Sequence, residues 1–109
     1  MSNCVDFLSN EISVGDFVVF PTQFGEDTVM ELAKVSKVNE YSVTWRHEKK
    51  LYYTLDLIVV RDSWDAQNLQ ETSYIGETRY SDMKNVAKIP MHHVENMVEQ
   101  EKVQLLLSA

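Results

Sequence analysis

The chain has 109 residues, a net charge of −7 and one cysteine. A single domain of this size closes its own core, burying roughly 60–70% of the surface that its unfolded chain exposes. A lone cysteine excludes an internally stapled secreted scaffold and points to a reducing compartment, no run approaches the roughly 18 apolar residues of a membrane helix, and the acidic balance repels nucleic-acid phosphates at long range. The opening MSNCVDFLSN has no basic stretch ahead of an apolar run, so the expectation is a soluble cytoplasmic protein without a signal peptide.

Met1 to Ser13 reads as a lead with Val5, Phe7, Leu8 and Ile12 as its apolar positions. Ser2 or Asn3 is placed to cap one helical turn, with Asp6 near its start, so one turn or an irregular arm is expected over one end of the fold. Val14 to Phe20 is the first strand, introduced by Gly15-Asp16 and ended by Pro21, with Val14, Phe17, Val19 and Phe20 as candidates for burial. Thr22 to Thr28 is a polar loop suited to a binding edge. Val29 to Val38 is the second strand, and its alternation slips near Ser36-Lys37, which predicts a bulge or bend. Asn39-Glu40 is read as a tight hairpin turn. Tyr41 to Arg46 is the third strand, with Val43 and Trp45 inward. After a turn at residues 47–50, Leu51 to Leu55 is the fourth strand. A tight turn through Asp56 leads into a fifth, Leu57 to Val60.

This order resembles a five-stranded SH3-like barrel of the Tudor, agenet and KOW type. The resemblance rests on Val14-Gly15-Asp16-Phe17-Val18, on Ala33-Lys34-Val35 and Val38 followed by Tyr41-Ser42-Val43-Thr44-Trp45, and on Leu55-Asp56-Leu57-Ile58-Val59-Val60. It covers residues 14–60. The fold expected is therefore mainly β, a single domain with a C-terminal helical extension. The resemblance also implies an aromatic cage for methylated lysine or arginine at one barrel end, where cation–π attraction would hold the ligand. Phe20, Phe24 and Tyr52 are its candidate walls, and the bland alternative is that Phe20 is core and Tyr52 a half-exposed strand residue. KOW-type barrels bind RNA or polymerase-associated proteins, which draws attention to the basic 34–50 hairpin with Lys34, Lys37, Arg46, Lys49 and Lys50. Glu31, Glu40 and Glu48 interleave there, so a solvated turn with ion pairs is the alternative.

Arg61 to Pro90 is less regular, with Asp62, Ser63 or Asn68 as caps for short helices. Met91 to Leu107 has helical spacing, with Val94, Met97, Val98, Glu101 and Leu105 near one stripe, and is expected to pack on the barrel or pair with its copy in a homodimer. Trp64, Tyr74 and Tyr80 sit among Asp62, Asp65, Glu71, Glu77 and Asp82, an acidic surface with aromatic anchors of the kind interfaces favour.

Chemistry-bearing motifs are missing. Gly15, Gly25 and Gly76 are the only glycines, so no glycine-rich phosphate loop exists. His92 and His93 are adjacent and point about 100° apart on a helix, a poor geometry for chelating one ion. Cys4 lies in the lead and has no fixed base beside it in sequence. The expectation is a non-enzymatic module without metal or cofactor. Its partner is another protein, reached through Phe20, Phe24, Tyr52, Trp64, Tyr74 and Tyr80, with nucleic acid on the basic hairpin as the alternative.

Overall fold

The computed structural model describes residues 4–97 and 100–108. Five antiparallel strands form one sheet: β1 (Phe17–Phe24), β2 (Asp27–Trp45), β3 (Glu48–Asp65), β4 (Gln70–Tyr80) and β5 (Ala87–Ile89). A 3-10 turn (Met83–Asn85) precedes β5, and the helices α1 (Met91–Met97) and α2 (Gln100–Ser108) follow it. The strand order is β4-β3-β2-β1-β5, so the chain meanders across the sheet and then returns to the free edge of β1. The sheet is open, because β4 and β5 are not neighbours.

The first strand expected at Val14 to Phe20 runs from Phe17 through Pro21 to Phe24. Beyond Val19, β5 no longer pairs with β1, and an open edge of this kind tolerates a residue without an N–H. Most of the expected 22–28 loop is ladder, because Phe24 pairs with Asp27 and leaves only Gly25 and Glu26 to turn. Gly25 supplies the left-handed φ of +65° that this two-residue turn needs.

Asn39-Glu40 does not turn. It pairs with Thr54 and Tyr53 in the middle of a continuous ladder, so the second and third expected strands are one, as are the fourth and fifth. The segment holds no glycine, and strong strand formers lie on both sides of it. The reversal comes at Arg46-His47, with φ of 51° and 67°. The break expected near Ser36-Lys37 is present as a register shift between Val35 and Lys37. Ser36 Oγ there donates to the carbonyl of Asp56 at 2.9 Å.

That bend lets the sheet curl. Phe20 on β1 and Tyr80 on β4 pack with ring centroids 5.2 Å apart, although two strands lie between them and a flat sheet would separate them by roughly 14 Å. The inner face so enclosed buries Val18, Phe20, Ala33, Val35, Leu55, Leu57 and Val59. Its end is plugged by Cys4, Ile12 and Val86. The outer face of the same strands carries Phe17, Leu32, Ile58, Val60 and Ile89, and Val94, Val103 and Leu106 of the helices cover it. The core therefore has two layers divided by the sheet. Alternate residues of β1 and β3 are apolar on both faces, as in a sheet buried on both sides.

Several expected positions move. Val14 is exposed, as are Val43 and Trp45, which lie beyond the region that either layer covers. Residues 61–90 hold a strand where short helices were expected. Asp62 and Ser63 are inside β3, and Asp65 rather than Asn68 organises the β3–β4 turn, its carboxylate accepting from the N–H groups of Gln67 and Asn68. The lead is an irregular arm with no helical turn among its described residues, and Ser2 and Asn3 lie outside these. The C-terminal helix is found as α1 and α2, with Val98 and Glu99 outside the described residues. Its described buried side chains, Val94, Val103 and Leu106, pack on this chain's own sheet.

The arm is fixed by one carboxylate. Asp6 Oδ1 accepts the N–H groups of Leu8 (2.9 Å) and Asn10 (2.8 Å), and Oδ2 accepts the Lys88 N–H of β5 (2.8 Å). Burial acts to raise this carboxyl, but the hydrogen bonds from Lys88, Asn10 and Leu8 outweigh it and hold the group below its ordinary range. Lys88 Nζ adds contacts to the Glu11 carbonyl and to Asp16.

Candidate interaction surface

The main feature outside the two-layer body is the far half of β2 and the near half of β3. Direct β1–β2 pairing stops at Lys34, and β4 joins β3 only at Leu55. Residues 39–54 are thus a two-stranded ribbon with no sheet neighbour on either edge among the described residues. At about 3.3 Å per residue it extends roughly 25 Å, which accounts for much of the 59 Å long axis.

Directly opposed residues share a face of a ladder. The outer face carries Tyr41 with Tyr52, Val43 with Lys50, and Trp45 with Glu48. The inner face carries Glu40 with Tyr53, Ser42 with Leu51, and Thr44 with Lys49. The Tyr41 and Tyr52 rings stack at 5.6 Å and 22°. Trp45 is 67% exposed, and the Arg46 guanidinium carbon lies 5.7 Å from its ring centroid, close enough for a cation–π contact. Tyr41, Val43 and Leu51 are exposed as well. An isolated two-stranded ribbon is only marginally stable in water, so this one presents apolar side chains where its own fold gains least from them.

The expected site residues do not converge. Phe20 is 2% exposed and packed on Tyr80, so both belong to the core layer. Tyr52 is out on the ribbon, and the side chain of Phe24 lies outside the described residues. Phe20 and Tyr52 therefore form no common cage. Trp64 and Tyr74 are both exposed, on opposite faces of the β3–β4 hairpin, opposite Glu71 and Arg61 respectively. The basic set divides too. Lys34 is in the body opposite Ile58, and Lys37 is at the bulge opposite Asp56. Arg46, Lys49 and Lys50 cluster at the ribbon tip, roughly 30 Å away along the strand. The surface aromatics Tyr41 and Trp45 escaped the sequence reading. The signal available was the run Glu48-Lys49-Lys50 opposite Val43-Thr44-Trp45, since three successive charges on one strand mean that neither face there is core.

At the ribbon root, Asp56 accepts from Arg79 Nε at 2.9 Å and Asn39 Nδ2 at 3.1 Å. The Arg79 hydrogen bond is the main reason its carboxyl sits below the usual range. A shallow hollow there is lined by Ser36, Lys37, Asp56, Glu77, Thr78 and Arg79, with both charge signs present. Among the described residues no group of three or more His, Cys, Asp and Glu is placed to hold a metal ion. Cys4 is buried, its thiol pushed up by burial, with Met83 Sδ 3.8 Å from Sγ. His92 and His93 are exposed, with ring centroids 4.1 Å apart. No described helix is long and apolar enough to cross a membrane.

A family profile matches residues 4–69, more than half of the chain, from the arm through β3 to its turn into β4. The chain belongs to the DUF7205 family, a domain of unknown function. No curated protein and no solved structure matches it. The DUF7205 match includes the whole ribbon and the Asp6 arm, whereas β4, β5 and both helices lie beyond it.

Proposed function

We propose that this DUF7205 protein is a non-enzymatic interaction module, that its body is an SH3-like barrel, and that the β2–β3 ribbon is the element that meets a partner protein. The carrying observation is the outer ribbon face, where Tyr41, Tyr52, Val43 and Trp45 are all exposed on an element with no sheet neighbour among the described residues. Aromatics are favoured as interface anchors, and exposed apolar patches of this kind mark contact sites. The barrel reading is supported by the Phe20–Tyr80 contact across the curled sheet and by the return of β5 to the edge of β1.

Capture of partners from the protein's own cell extract tests this reading. Trp45→Ala and Tyr52→Ala are expected to lose a protein partner that Trp64→Ala retains, with unchanged circular dichroism. Equal recovery by all three variants would sink the ribbon as the contact element. Nucleic acid is the second reading, favoured by the concentration of Arg46, Lys49 and Lys50 at the tip. Recovery abolished by nuclease or by moderate salt would select it.

A further inference from the structure

We infer that the open edge of β2 along the ribbon pairs with the same edge of a second copy of this chain, giving an antiparallel four-stranded sheet across a two-fold axis at Val43. This does not rest on the partner reading above: strand pairing uses the main chain of the edge, and although Tyr41, Val43 and Trp45 also lie on the outer face, Ser42 and Thr44 lie on the inner one and report on the pairing alone.

From Val38 to Trp45, β2 is paired among the described residues on one side only, by β3. The alternation of an antiparallel ladder turns every second peptide group of this stretch to the open side. Exposed edges are normally blunted by Lys, Pro or bulges. Val38 to Trp45 has no Lys, Pro or Gly and a single charge, Glu40. The other ribbon edge is protected, because β3 begins Glu48-Lys49-Lys50. One edge is thus open to strand addition and the other is closed to it.

The occupant follows from the order of side chains. Residues 41–45 read Tyr-Ser-Val-Thr-Trp and are all ladder residues. Folded back on itself in antiparallel register about Val43, this run sets Tyr41 opposite Trp45, Ser42 opposite Thr44, and Val43 opposite Val43. Aromatic pairs, hydroxyl pairs and β-branched pairs are cross-strand combinations that stabilise a sheet. The register also fits the length of the ribbon, since its tip at His47 reaches Asn39 of the second copy, where that ribbon begins. The contact is isologous and closes with two chains. The charged outer edges of the two β3 strands stop it from growing into a fibre.

Sedimentation of the purified full-length chain over a concentration series tests the inference, with a reversible monomer–dimer equilibrium expected. Ser42→Arg with Thr44→Arg, which sets like charges face to face across the axis, is expected to loosen the dimer roughly tenfold. Ser42→Glu with Thr44→Arg is expected to hold it. Val43→Cys is expected to oxidise to a covalent dimer, because Val43 alone meets itself across the axis at Cα separations of about 4.5–5.5 Å that a disulfide spans. Tyr41→Cys, facing Trp45, is expected not to. All four positions are exposed, so the body folds in each variant. A chain that stays monomeric throughout, a dimer indifferent to the like-charged 42/44 pair, or equal cross-linking from positions 41 and 43 overturns the inference.

Discussion

Asp6 gathers donors from two parts of the chain, the arm's own Leu8 and Asn10 and the Lys88 N–H of β5. Because the folded carboxyl titrates below its unfolded value of about 3.9, the unfolded chain takes up its proton more readily. The stability that Asp6 contributes is therefore complete above about pH 5 and is lost as pH falls through the folded pKa. Asp6→Asn is expected to cost roughly 1–3 kcal/mol at neutral pH, read as a shift in urea midpoint. The gap between the two proteins should narrow below about pH 4. A gap independent of pH would mean that shape, not charge, holds the arm. No motif announced this role. Asp6 was legible only as a helix-start residue, and its principal partner stands 82 positions away.

The ribbon shows how an element can be readable in composition and misread in connection. β-Branched and aromatic runs mark each of its strands, but Asn39-Glu40, which carries turn chemistry, lies inside the ladder. Arg46-His47 has no such signature, and both residues pay for left-handed backbone. Moving the turn by seven residues carries Val43 and Trp45 from an expected core to solvent, which is why the candidate surface escaped notice. His47→Gly and Arg46→Asn together install the favoured pair for this turn type. They are expected to slow amide exchange along residues 39–54 several-fold while leaving exchange in the buried strand segments Val18–Phe20 and Leu55–Val59 unchanged. If the ribbon amides instead exchange faster, the two left-handed residues are held by contacts that outweigh their backbone cost.

At the scale of the molecule, the mainly β class, the bulge and a C-terminal helix were legible because each follows from local periodicity. The strand order was not, since β4 lies in a polar segment whose alternation is weak, and β5 is three residues long. The consequence is a sheet whose two faces are covered by different devices. Curling and the arm close the inner face, while α1 and α2 close the outer one. Phe17, Leu32, Ile58, Val60 and Ile89 depend on the helices for cover, and Lys102 Nζ bonded to Asp62 Oδ2 at 2.9 Å ties α2 to β3. That ion pair is partly exposed and adds little, so the apolar contacts carry the docking. Leu106, 2% exposed, is the side chain that tests it. Leu106→Ala is expected to cost roughly 2–5 kcal/mol, whereas Trp45→Ala on the ribbon should stay within about 0.5 kcal/mol. The Leu106 variant should also bind a hydrophobic dye, because loosening α2 uncovers the outer layer while the inner layer remains closed. A small cost without dye binding would show that the sheet stands without its helices, and stability would then reside in the curled inner layer and the arm that Asp6 fastens.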